Sequence, residues 1–244
     1  MPEFLRIVLA GGLVLGVLLA GAPQAGAAKK TIKSASDVTC SVPKAPMITV
    51  TPQTADIKYD YSKTAKQLTQ QGSNTVNPYA ANVDTTTGGL RSDTPKMRSN
   101  VKMGTLTYPS LKVGCIWYDT IEVGIELNPV IFIAKEFQRE PCKSAILKHE
   151  LKHVTVDRDV MNKYAMEIGK AVQIAVNQAG ALGPFNVADI NMQQDRLIGH
   201  IQSAINSQQL LLDKEMRQKQ AQVDSLEEYE QVSKVCKDIV RKLR

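Results

Sequence analysis

The apolar residues change period at Pro141, and this change restricts the fold more than any other feature of the chain. Beyond it, Leu147, Leu151, Val154, Met161, Ala165, Ile168, Val172 and Ala175 recur at steps of three, four and seven residues. That is the stripe of an amphipathic helix, predicted over about Cys142–Asn177 and ended by Gly180 and Gly183-Pro184. A second periodic segment runs over about Ala188–Gln222, with Leu197, Ile201, Ala204 and Leu211 on one face. Asp224-Ser225-Leu226-Glu227 reads as a capping box that opens a third helix, to about Leu243. The short link between the first two segments implies an antiparallel helical hairpin.

Before Pro141 the pattern is that of strands. Apolar and β-branched residues alternate from Met47 to Tyr61, and Val101–Tyr108, Val113–Tyr118 and Ile121–Leu127 are three closely spaced strand candidates. Val130–Ala134 is a fourth strand or the lead-in to a helix. Ser62–Gln71 has helical composition, and Gly72–Asn100, rich in Gly, Ser, Thr, Asn and Pro, reads as a long loop or as very short strands. The expected class is therefore α+β: a small, mostly antiparallel sheet, then a long helix, an antiparallel helical hairpin and a C-terminal helix.

Residues 1–27 have the pattern of a secretory signal peptide: Arg6, an apolar run from Ile7 to Ala20, and a small-residue site at Ala25-Gly26-Ala27. Residues 28–45 are polar and read as a flexible arm, which leaves 46–244 as the folded domain. Export gives the four cysteines a meaning. An even number in an oxidising compartment implies two disulfides among Cys40, Cys115, Cys142 and Cys236, with three pairings open. No C-x-x-C pair is present. The chain of 244 residues is 43% hydrophobic and 22% charged, which excludes a disordered, collagen-like or polytopic membrane protein. Its net charge of +6 comes from scattered lysines and arginines without interleaved aromatics. This argues against a nucleic-acid partner and leaves room for peripheral attraction to an anionic cell-envelope surface.

Two of the chain's three histidines stand four residues apart, in His149-Glu150-Leu151-Lys152-His153. This is H-E-x-x-H within the predicted helix. Residues i and i+4 share a helix face one turn apart, so the two imidazoles can hold one Zn²⁺. Glu150 then stands where a carboxylate can act as general base on a metal-activated water.

With these residues the chain resembles the zincin metallopeptidases. The stretch HELKHVTVD is similar to their thermolysin-like helix, and the strands-then-helices order is shared over roughly residues 113–222. The chain also resembles small secreted bacterial H-E-x-x-H proteins of unassigned substrate. The resemblance implies His149 and His153 as ligands, Glu150 as base, and Asp157 as a partner that orients a ligand histidine. It departs at the third ligand. The position about twenty residues beyond His153, where gluzincins of the thermolysin type supply a glutamate, is Gln173. Val156 and Asp159 occupy the positions of the metzincin extension.

Hairpin geometry offers a substitute. A turn centred near residues 182–183 places residue 151 opposite about residue 214, so Glu215 is the preferred third ligand and Asp213 is at the same level. Asp224 and Glu227 are alternatives if the third helix folds back. His200 would face about residue 165, too far from the motif at 1.5 Å per residue. Strands Gly114–Tyr118 and Ile121–Leu127 are candidates for an edge that pairs with an extended substrate, with Trp117 and Tyr118 either lining a pocket or belonging to the core. The expected function is that of a secreted or periplasmic zinc-dependent peptidase acting on a peptide or protein. The alternatives are a cell-wall amide hydrolase on the same site and a zinc-stabilised envelope protein without turnover.

Overall fold

The long helical stripe forms one uninterrupted helix that spans both cores of the molecule. A computed structural model describes residues 33–71, 78–79 and 85–243, and Ser34–Arg244 make up one compact unit. Segment 1–27, read above as a signal peptide, lies outside the described residues. In chain order the elements are β1 (Met47–Thr54), β2 (Lys58–Asp60), α1 (Ala65–Gln71), β3 (Gly89–Ser92), β4 (Lys96–Tyr108), β5 (Val113–Leu127), β6 (Val130–Ile133), α2 (Cys142–Ala179), β7 (Leu182–Asn186), α3 (Ile190–Val223) and α4 (Leu226–Leu243). The class is α+β, as the change of period implies.

The strand pairing is mostly antiparallel as expected, three of five pairs being so, but the strands are divided between two small mixed sheets and not one. In the larger, β5 is central. It pairs with β4 antiparallel along one edge, and along the other with β1 in parallel and with β7 antiparallel. In the smaller, β6 pairs with β2 in parallel and with β3 antiparallel, so β3 is an edge strand. The candidates Val113–Tyr118 and Ile121–Leu127 are one strand. Opposite the step Lys102–Met103 the register skips Asp119, a bulge that shifts the buried phase from Ile116 and Tyr118 to Ile121, Val123, Ile125 and Leu127. A one-residue shift exchanges the two faces of a strand, so one bulged strand has the alternation of two.

The C-terminal half of α2 packs Met161, Ala165, Ile168 and Val172 on the larger sheet together with Leu197, Ile201 and Ile205 of α3. Its N-terminal part packs Ile146 and Val154 on the smaller sheet, with α4 closing over it. The H-E-x-x-H turn thus lies within the part of α2 that packs on the smaller sheet, between Ile146 and Val154. The disulfides are Cys40–Cys115 and Cys142–Cys236. The second ties the first residue of α2 to α4. The first anchors the segment read as an arm, in which Val38 is buried. These bridges point to an oxidising, exported environment. Among the described residues no helix is long and apolar enough to cross a membrane.

Candidate metal centre

His149 and His153 are buried on the face of α2 that α4 covers. Their Nε2 atoms are 3.3 Å apart. Asp224 Oδ1 lies 3.2 Å from the first and 3.1 Å from the second. A tetrahedral ion with bonds of about 2.0–2.1 Å has donor–donor edges of roughly 3.3 Å. The three donor atoms therefore already have the spacing of three corners of such a site, and two imidazoles with one carboxylate are a suitable donor set for a divalent transition metal.

A one-residue shift in helix capping brings Asp224 to this position. The expected box began at Asp224, but the hydroxyl of Ser225 caps α4, accepting from the Glu228 N–H at 3.3 Å. Asp224 instead closes α3, its N–H donating to the Gln220 carbonyl, and its carboxylate is left to face the histidines.

The preferred third ligand, Glu215, does not join them. It accepts hydrogen bonds from Lys163 and from the Tyr164 hydroxyl. The cause is the link between α2 and α3, which is not a bare turn but strand β7 and a short 3-10 turn. The facing pairs are His153 with Gln220 and Tyr164 with Glu215. Glu215 therefore lies opposite a point eleven residues beyond His153, about 16 Å along α2. Asp213 is outside the cluster as well, and Glu227 is exposed and accepts from Gln231. His200 sits in a shallow groove beside Ala171, Ile174 and Gln178, toward the far end of α2.

Glu150 is buried beside the donor triangle and accepts a hydrogen bond from the Arg91 backbone N–H of β3. Burial raises its pKa, against the pull of the two histidines. Gly89 makes room for it: a Cβ there would overlap Ile146 Cγ2 and come within 2.7 Å of Glu150 Oε1. Asp157, fully buried, is in an ion pair with Arg91 at 3.3 Å. Burial pushes its carboxyl up to about 6 despite that partner. It touches Gln220, not a histidine directly: Gln220 Nε2 donates to Asp157 Oδ1 at 2.6 Å while Gln220 Oε1 faces His153 Nδ1.

On the other side, Glu228 of α4 lies 3.5 Å from His149 Nδ1 and pairs with Lys152 at 2.6 Å. Tyr229 meets the His149 ring edge-on at 5.6 Å between centroids, and its hydroxyl hydrogen-bonds Asp224. The Tyr229 phenol is half-buried, and its desolvation holds it well above its ordinary value.

The centre opens into a cleft of about 480 Å³. Its walls are β3 with the chain around it, the H-E-x-x-H turn and α4. The strand beside the motif is therefore β3, not β5, which is central and paired on both edges. Trp117 covers Gly104 of β4, and the buried Tyr118 donates to the Leu197 carbonyl at 2.8 Å; neither lines the cleft.

Arg91, Gln220, Glu228 and Tyr229 were not singled out from the sequence. Gln220 had a signal: the buried stripe of α3, Ile201, Ile205, Leu212 and Met216, reaches it in phase, four residues after Met216. A polar residue on an apolar stripe is a candidate for a specific buried contact. Arg91 and Tyr229 had no comparable signal, because only the tertiary fold brings them to the motif. Comparison with protein-family models, with curated proteins and with solved structures finds no match, so the functional reading rests on this geometry.

Proposed function

We propose that the chain is an exported zinc-dependent hydrolase that cleaves amide bonds in peptides or proteins, periplasmic or extracellular in location. The observation that carries the reading is the donor triangle of His149, His153 and Asp224, with edges of 3.1–3.3 Å, beside the buried carboxylate of Glu150. His149, His153 and Asp224 would hold the ion. A bound zinc ion lowers the pKa of its water to about 7 and polarises a carbonyl. Glu150 is the general base. Its raised pKa suits a group that must take a proton and pass it on, and the Arg91 N–H and the space left by Gly89 hold it in place. The Tyr229 hydroxyl, protonated throughout the neutral range, is positioned to steady Asp224.

A peptide substrate is favoured by β3. Among the described residues no strand pairs with its outer edge, and it forms one wall of the cleft. Such an edge offers main-chain hydrogen bonds to an extended chain.

The test measures zinc content and hydrolysis of a peptide library, of proteins and of peptidoglycan by wild type, Glu150→Gln, Asp224→Ala and Glu215→Ala. Glu150→Gln should keep the metal and lose roughly 10²–10⁴ in rate. Asp224→Ala should lose the metal, and Glu215→Ala should keep both metal and activity. Equal turnover with and without the Glu150 carboxylate would refute its role as base. Peptidoglycan cleavage without protein cleavage would reassign the substrate, and bound zinc without hydrolysis would make the site structural.

A further inference from the structure

We propose that Gln220 is a positioning residue that sets the tautomer of His153, leaving the lone pair of Nε2 free for a metal ion; this rests on the metal-centre reading above. The argument needs only the donors and acceptors around one buried amide. The nitrogen end of Gln220 faces two acceptors, Asp157 Oδ1 at 2.6 Å and the His153 carbonyl at 3.1 Å. The amide nitrogen has two protons, and each meets one of these acceptors. Turned over, the amide would set its oxygen against a carboxylate and a carbonyl, so the chemistry allows one orientation.

That orientation presents Gln220 Oε1 to His153 Nδ1. An amide oxygen only accepts, so Nδ1 must carry the proton. A neutral His153 then has its lone pair on Nε2, which an ion placed between Nε2, Asp224 Oδ1 at 3.1 Å and His149 Nε2 at 3.3 Å would take up; without an ion the same Nε2 faces the Asp224 carboxylate. Asp157 is held in turn by Arg91, whose guanidinium also donates to the Asp93 carbonyl. A line of fixed polarity thus runs from Arg91 through Asp157 and Gln220 to His153, ending at the donor triangle. Ligand histidines generally have their second nitrogen fixed by such a partner. Here the partner is an amide on α3, and the buried acid on the motif helix acts only through it.

The experiment has two readouts on the folded, metal-free protein: the His153 tautomer by ¹⁵N NMR, and affinity for zinc ion added alone. Wild type should show His153 protonated at Nδ1. Gln220→Leu should remove the preference of the His153 proton for Nδ1 and weaken zinc binding by about 10–100-fold, with circular dichroism unchanged. Gln220→Glu keeps an acceptor toward His153 but opposes two carboxylates, so it should also weaken binding. Adding Asp157→Asn, which supplies a donor in place of one carboxylate, should recover most of the loss. A purely structural Gln220 would give neither the recovery nor the tautomer change.

Asp224→Ala separates the two readings. If it abolishes zinc binding while Gln220→Leu binds as wild type does, the positioning role fails alone. Wild-type His153 without a proton on Nδ1 also overturns it alone. If Asp224→Ala binds zinc normally, the metal-centre reading fails and takes this one with it.

Discussion

Glu150 keeps its place because of what residue 89 lacks. A methyl group on Gly89 would overlap Ile146 Cγ2 and meet Glu150 Oε1 at 2.7 Å, and neither Ile146, branched at Cβ, nor Glu150, held by the Arg91 N–H, has room to yield. Gly89→Ala should destabilise the protein by about 1–3 kcal/mol, the usual range for overpacking. With Glu150 as the proposed base, it should also depress turnover more than zinc content, since it displaces that carboxylate and not the three proposed ligands; parallel assays of unfolding, metal and hydrolysis check this. Asp157 gives a second prediction at this scale, concerning pH. Burial lifts its carboxyl to about 6 in the folded chain, against about 3.9 when unfolded. The folded state therefore binds this proton more tightly than the unfolded state does. The contribution is fully present below about pH 4 and is lost as pH rises through about 6. A two-unit shift corresponds to roughly 2–3 kcal/mol. Denaturant unfolding of the metal-free protein between pH 4 and 7 should show wild-type stability falling by about that much relative to Asp157→Asn. Parallel pH profiles for the two proteins would refute the assignment.

The elements that carry the site differ in how far they could be read in advance. Helix α2 was legible from its stripe, because a helix buried on one face by both cores must repeat its apolar residues along its whole length. His149, Glu150 and His153 were legible with it, their spacing being a property of the helix alone. The partner level was not. Strand β7 pairs with β5 in the link between α2 and α3, and it shifts the facing residues from 151 with 214 to His153 with Gln220. No periodicity within either helix records that offset, so Glu215 and Asp224 could not be ranked from sequence. The cap was nearly legible, since Asp224 and Ser225 are both good N-cap residues and only one can serve. That choice can be tested. Ser225→Ala removes the oxygen that accepts from the Glu228 N–H and should cost about 1 kcal/mol. The first turn of α4 carries Glu228 and Tyr229, and Asp224 immediately precedes the Ser225 cap, so zinc affinity should fall with stability. Ser225→Asp, which can cap, should restore both. Loss of stability with unchanged affinity would show that Asp224 is held independently of the cap.

At the scale of the whole molecule, the centre joins two pieces of chain that a disulfide already joins. Cys142–Cys236 closes a loop across 94 residues, and His149, His153 and Asp224 lie inside it. The bridge holds α4 against the start of α2, the approach that Asp224 needs to reach the histidines. An ion bound by these three residues would be a second, nested cross-link over much of the same loop. Nested cross-links are not independent: once the outer one restricts the chain, closing the inner one costs less entropy. The two should therefore reinforce each other in affinity while overlapping in stability. Replacing both cysteines by serine should remove about 5 kcal/mol in the chain-entropy view, which for a domain of this size lowers Tm by about 10–20 °C. Zinc should recover part of that loss, since a ligand at a hundred times its Kd contributes about 2.7 kcal/mol. The zinc Kd of the variant should itself be weaker, because α4 is no longer pinned at its middle. Thermal melts and zinc titrations of wild type and Cys142→Ser/Cys236→Ser measure both quantities. A variant that melts lower but binds zinc as tightly as wild type would mean that the packing of Val232, Ile239 and Val240 on the smaller core suffices to hold α4 over the histidines. The disulfide would then stabilise the fold without shaping the site.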